Sequence, residues 1–164
     1  MTSYKALKPN RTTSIARQNY HHNMSTSSIN ALQEEVIEEF SAFDDWMDKY
    51  QMLIDLGNEL EPLDDKYKTE QNLIDGCQSR VWVQCDVIDG HLEFTAESDA
   101  LIVKGIIALL IRVVSGHTPQ EILDADLYFI DRIGLRDHLS PTRSNGLLAM
   151  VKRIKAYALV YSSN

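Results

Sequence analysis

Between Ala100 and Val114 the chain reads ALIVKGIIALLIRVV, apolar almost throughout and interrupted only by Lys104, Gly105 and Arg112. A helix that is apolar nearly all round is buried on most of its surface. This one is too short and too charged for a bilayer span, which takes about 20 consecutive apolar residues. The rest of the chain must therefore pack around it. Ser98 is expected to cap its start and Gly116 to close it.

Just upstream, Val81, Val83, Cys85 and Val87 alternate with Trp82, Gln84 and Asp86, and a second run, His91 to Thr95, follows Asp89-Gly90. Alternation of period two across an Asp-Gly pair predicts an antiparallel hairpin. Cys85 shares its face with the three valines and is expected to be a small core residue.

Helical spacing opens the fold at Asn30, with Leu32, Val36, Phe40, Phe43, Met47, Tyr50 and Ile54 recurring every three or four residues. Asn30 with Gln33 fits a capping box, Ser41 a kink or restart, and Gly57 a left-handed C-cap. After the central helix, Thr118-Pro119-Gln120-Glu121 is a capping box with proline at the first helical position. A short helix is expected near Leu127 to Ile133, ending at Gly134. Ser140-Pro141 opens a terminal helix carrying Leu147, Met150, Val151, Ile154 and Ala158 on one stripe. Lys152, Arg153 and Lys155 are expected to favour its C-terminal dipole. The order predicts a two-layer α+β domain, a hairpin or small sheet packed against helices.

At 164 residues the chain is one domain by length and can bury roughly 70% of its unfolded surface. Residues 1–28 hold Lys5, Lys8, Arg11 and Arg17 with no acidic residue, and show no apolar period. They read as a disordered tail, leaving residues 29–164 as the folded domain. A misassigned start upstream of Met24, or a transit peptide, would account for the same composition. The other 12 basic residues and all 24 acidic ones lie in 29–164, leaving that part near −12. Such a charge argues against a nucleic-acid partner and for a basic protein surface. Two cysteines and no signal peptide predict a cytoplasmic protein with reduced thiols.

Most signatures of chemistry are absent. There is no P-loop or dinucleotide fingerprint, His91, His117 and His138 lack metal spacing, and His21-His22 has no third ligand near it. No metal or other cofactor is expected. Asp44-Asp45 and Asp64-Asp65 sit where carboxylates cap helices and turns. What remains is Cys77, in the stretch Gly76-Cys77-Gln78-Ser79-Arg80-Val81-Trp82 at the mouth of the first strand. Gly76 permits backbone conformations closed to other residues, so the thiol beside it can turn inward or outward.

Four blocks in order are similar to the SufE family: Gly76-Cys77-Gln78-Ser79-x-Val81-Trp82, Ser98-Asp99-Ala100-x-Ile102-Val103-Lys104-Gly105, Thr118-Pro119-Gln120-Glu121-Ile122, and His138-Leu139-Ser140-Pro141-x-Arg143-Ser144-x-Gly146. The resemblance runs from about Val36 to Lys155. It implies a fold shared with IscU-type scaffolds and no independent enzymatic turnover. It also implies a SufS-type, pyridoxal-phosphate cysteine desulfurase as sulfur donor, and an iron–sulfur scaffold complex of SufBCD type as recipient. On this chain the persulfide acceptor is Cys77, with Gly76, Gln78, Ser79, Arg80, Asp99 and Arg143 as supporting or interface residues. Arg80 or Arg143 could favour the thiolate from a few ångströms away. Trp82 and the Ala100–Val114 helix are candidate walls of a recess shielding the sulfur, and Asp99 suits a helix N-terminal charge or a loop-positioning role. The alternative is a stand-alone thiol redox enzyme with a peroxidatic cysteine. A cluster scaffold would need more thiolates than the one available.

Overall fold

The structure, a computed structural model, describes residues 27–163. His21, His22, Met24 and most of the expected tail lie outside them. Ser27 and Ser28, assigned to the tail from sequence, belong to the fold. Ser28 caps the first helix, α1 (Ile29–Ser41), its side chain accepting the Ala31 amide at 3.0 Å. The Ser27 carbonyl meets His117 Nε2 at 2.8 Å.

The Asn30–Gln33 capping box therefore does not form. Gln33 falls instead on the buried face of α1, with Ile29, Val36 and Phe40. Its amide donates to Asp126 O at 3.0 Å and to Asn30 Oδ1 at 3.2 Å, and its oxygen accepts the Phe129 amide at 3.0 Å, so a buried polar side chain has its partners met while joining α1 to the start of a later helix. Nor does the first helical run merely kink. It breaks, and Asp45 caps a separate α2 (Trp46–Asn58) by accepting the Met47 amide.

Gly57 lies inside α2 rather than beyond its end. A Cβ there would stand 2.8 Å from the Gly105 nitrogen, and one on Gly105 only 2.1 Å from the Leu53 carbonyl oxygen. The two glycines let α2 and the central helix, α3 (Leu101–Val114), touch backbone to backbone. Nine residues of α3 are buried, as its composition requires. Its N-cap is Ala100, not Ser98, which ends the preceding strand and accepts the Ala100 amide. Arg112 leaves the apolar surface to grip Glu39 of α1 with two bonds of 2.6 and 2.7 Å.

The hairpin forms as expected, β1 (Val81–Ile88) pairing antiparallel with β2 (His91–Ser98). Asp89 and Gly90 make the two-residue turn with φ of 51° and 77°. Val81, Val83 and Cys85 oppose Ser98, Ala96 and Phe94 on the buried face. Val87 continues that face past the edge of the core and is 47% exposed. The sheet packs on α3 and on the last helix, where Phe94 meets Tyr157 with ring centroids 6.3 Å apart. Single bridges, Leu73 to Trp82 and Leu92 to His117, cover part of each sheet edge.

The Thr118 capping box opens α4 (Pro119–Asp124), a short α5 (Phe129–Arg132) follows, and Ser140 caps α6 (Pro141–Ser162). Trp46 stacks on His138 at 3.8 Å, pinning the approach to α6. Because α6 runs to Ser162, Lys152, Arg153 and Lys155 are not at its end, and its last turn holds no basic residue. Lys155 crosses to the carbonyls of Ile122, Leu123 and Ala125 at the end of α4.

Candidate functional site

Cys77 rides a loop closed at its base by the Ile74 amide donating to the Val81 carbonyl at 2.8 Å. At the exit, the Arg80 amide donates to the Asp99 carboxylate at 3.1 Å and the Asp99 amide returns a bond to the Arg80 carbonyl at 3.3 Å. Asp99 thus ties the loop to the start of α3. Gly76 has φ of 91°, a conformation that side chains rarely adopt.

The loop lies on the first half of α6. A Cβ on Gly76 would be 3.5 Å from that of Ala149. Cys77 itself is half-buried, and its Sγ sits 3.6 Å from the Gly146 carbonyl oxygen, a contact in which the protonated sulfur is the donor. A cleft of about 340 Å³ opens beside it. Gln78 and Ser79 line it from the loop, Val103 from α3, Gly146 and Met150 from the floor, and Ser140, Thr142 and Arg143 from the start of α6.

Four of the residues singled out from sequence, Cys77, Gln78, Ser79 and Arg143, therefore share one cleft. Gly76 and Asp99 shape the loop. Arg80 joins it through its backbone, with its side chain exposed and away from the cleft lining. Trp82 is not a wall: it pairs with Glu97 on the sheet and bridges to Leu73. From α3 only Val103 reaches the cleft.

Arg80 or Arg143 is expected from sequence to favour the Cys77 thiolate from a few ångströms away, but the shift here runs in the other direction. Burial pushes the Cys77 thiol up from its ordinary value. Cys85, in the core against Phe94, is pushed up to about 12, chiefly by burial and then by Asp86 and Glu93. A thiol so placed is inert. Among the described residues no cluster of three or more His, Cys, Asp or Glu could hold a metal ion, and no helix is long and apolar enough to cross a membrane.

Sequence reasoning quoted Gly146 but gave it no role, and missed Met150 and Ala149 as the floor. The signal was present: glycine inside a helix marks a close approach, and Gly146, Ala149 and Met150 fall at helical spacing on one face.

Fold and site together define a two-layer α+β domain that seats one half-buried thiol, on a loop with a positive-φ glycine, against its last helix. The chain belongs to the SufE family, described as an Fe-S metabolism associated domain, which matches residues 34–158. The fold is also similar to a solution structure described as a hypothetical protein from Thermus thermophilus. The TM-score is 0.68 at 22% identity, over 81% of this chain and 97% of that one.

Proposed function

We propose that this protein is a cytoplasmic sulfur carrier: Cys77 accepts persulfide sulfur from a SufS-type cysteine desulfurase, stimulates that enzyme, and passes the sulfur to an iron–sulfur scaffold complex of SufBCD type. The parked thiol of Cys77 is the observation that supports the reading. The Cys77 thiolate attacks the terminal sulfur of the donor's Cys–S–SH. The S–S bond of the donor breaks, its cysteine leaves as thiolate, and the sulfur is now held as a persulfide on Cys77 with no net oxidation. Pyridoxal phosphate stays with the donor and supplies the carbon–sulfur cleavage there.

The recess suits both stages. At rest the thiol is protonated on the Gly146 carbonyl and half-covered, which slows stray oxidation. Attack requires the sulfur to leave this seat and ionise, and Gly76 gives the loop tip the freedom to do so. Once loaded, the persulfide can return to the cleft between Val103 and Met150. Gln78, Ser79 and Arg143, which line the same cleft, are the proposed contacts for the donor.

Incubation with a desulfurase and cysteine, followed by intact-mass measurement, tests the reading. Wild type and Cys85→Ser should gain one sulfur that dithiothreitol removes, and Cys77→Ser should gain none. Equal gain by Cys77→Ser would overturn the assignment. Peroxide consumption without a desulfurase would establish the thiol redox enzyme instead.

A further inference from the structure

We propose that Arg153 is a positioning residue for Cys77, a role that rests on the sulfur-acceptor reading above. Gly146, Ala149, Arg153 and Tyr157 recur at intervals of three or four and so form one face of α6. The chain leading to the thiol lies along that face. Tyr157 holds Asn72 Oδ1 at 3.2 Å and the Val83 carbonyl at 3.1 Å. Arg153 donates through Nη1 to the Gln71 carbonyl at 2.8 Å and through Nη2 to the Leu73 carbonyl at 3.0 Å. Farther toward the start of α6, Ala149 underlies Gly76 and Gly146 underlies Cys77.

The guanidinium is a rigid fork with charge on both donors, suited to holding two carbonyls two residues apart in fixed relation. It ties the entrance of the Cys77 loop to the helix that bears the thiol's seat, two turns or about 10 Å away. Asp99 holds the exit. Residues 75–79 are left as the part that swings, and the swing starts and ends in register with Gly146.

The apolar contacts of α6 do not include this side chain. Leu147, Met150, Ile154 and Ala158 are its buried apolar residues, while the bond to Gln71 is at the exposed surface and that to Leu73 is partly buried. Losing Arg153 should therefore free the loop entrance without dissolving the fold. Lys155 is the matched comparison, since it also reaches backbone carbonyls from α6, but those at the end of α4.

The test compares Arg153→Ala, Arg153→Lys and Lys155→Ala. Iodoacetamide alkylation of Cys77 is followed by mass spectrometry on the free protein, together with melting temperature and sulfur uptake from a desulfurase. Arg153→Ala should raise the alkylation rate at least about tenfold, the shift in an opening equilibrium expected from losing even one of its two charged hydrogen bonds. It should also slow sulfur uptake at saturating desulfurase, and Arg153→Lys should recover part of both. Lys155→Ala should lower the melting temperature and leave Cys77 reactivity as in wild type. Wild-type alkylation and uptake in Arg153→Ala would overturn the proposal, as would an equal rise in Lys155→Ala. If Arg153→Ala does not fold, Arg153→Gln, which keeps a single donor, is read by the same criteria. Alkylation needs no partner: failure of wild type to take up sulfur would reject the proposed function, while the alkylation rates still decide whether Arg153 positions the thiol.

Discussion

The Cys77 sulfur rests on Gly146, 3.6 Å from its carbonyl oxygen and 3.3 Å from where a Cβ at that position would lie. Any side chain at 146 would contend with the thiol for the same space. What must yield is the side chain of a loop residue rather than the backbone of a packed helix. Gly146→Ala should therefore displace Cys77 and speed its alkylation in the free protein several-fold. The fold should hold, because alanine gains about 1 kcal/mol of helix propensity over glycine. A wild-type alkylation rate at an unchanged melting temperature would show that Gly146 does not form the seat.

Gly105 presents the opposite case. Its added Cβ would fall 2.1 Å from the Leu53 carbonyl oxygen, which is backbone in a packed helix and cannot turn aside. Gly105→Ala should push α2 off α3 and cost about 3 kcal/mol, the upper end for overpacking. Gly57→Ala, whose nearest contact is 2.8 Å, should cost less. Urea unfolding ranks the two, and equal stability of Gly105→Ala and wild type would refute the backbone contact.

Cys85 links stability to alkaline pH. Its thiol titrates near 9.0 in the unfolded chain and is raised in the fold to about 12, first by burial and then by Asp86 and Glu93. The unfolded chain thus loses its proton first as pH rises. The stability contributed by the neutral buried thiol is whole below about pH 9 and falls as pH climbs toward 12, by at most about 1.4 kcal/mol per pH unit. Cys85→Ala should flatten the decline in urea midpoints between these limits. Parallel curves for variant and wild type would contradict the burial of this thiol.

Two truncations locate the start of the fold. Removing residues 1–26 keeps both the Ser28 cap and the bond between Ser27 O and His117, and removing residues 1–28 deletes both. The shorter chain should be less stable by about 1–2 kcal/mol, the usual worth of an N-cap together with one hydrogen bond. Chemical denaturation of the pair reads the difference, and identical midpoints would place the start of the fold at Ile29.

Where a feature depends on residues close in the chain, the sequence by itself determined it. Alternation around Asp89-Gly90 specified the hairpin, and Thr118 with Glu121 and Ser140 with Pro141 specified two helix starts, because each satisfies hydrogen bonds within a turn or two. The run from Ala100 to Val114 demanded a buried helix, and Cys77 stood out as the thiol outside the strand pattern. Local pattern failed wherever a residue had a distant partner. Gln33 had the spacing of a cap but was claimed by Asp126 and Phe129. Gly57 had the look of a helix stop but was needed for contact with Gly105.

The site divides the same way. Its loop residues and Arg143 were legible from the quoted blocks, whereas its floor and clamp join positions 69 and 82 residues apart, Cys77 to Gly146 and Gln71 to Arg153. Packing alone sets which atoms meet across such separations. It also sets the environment of the sulfur: Arg80 or Arg143 was expected to favour a thiolate, whereas burial shifts the Cys77 thiol the other way, toward its protonated form.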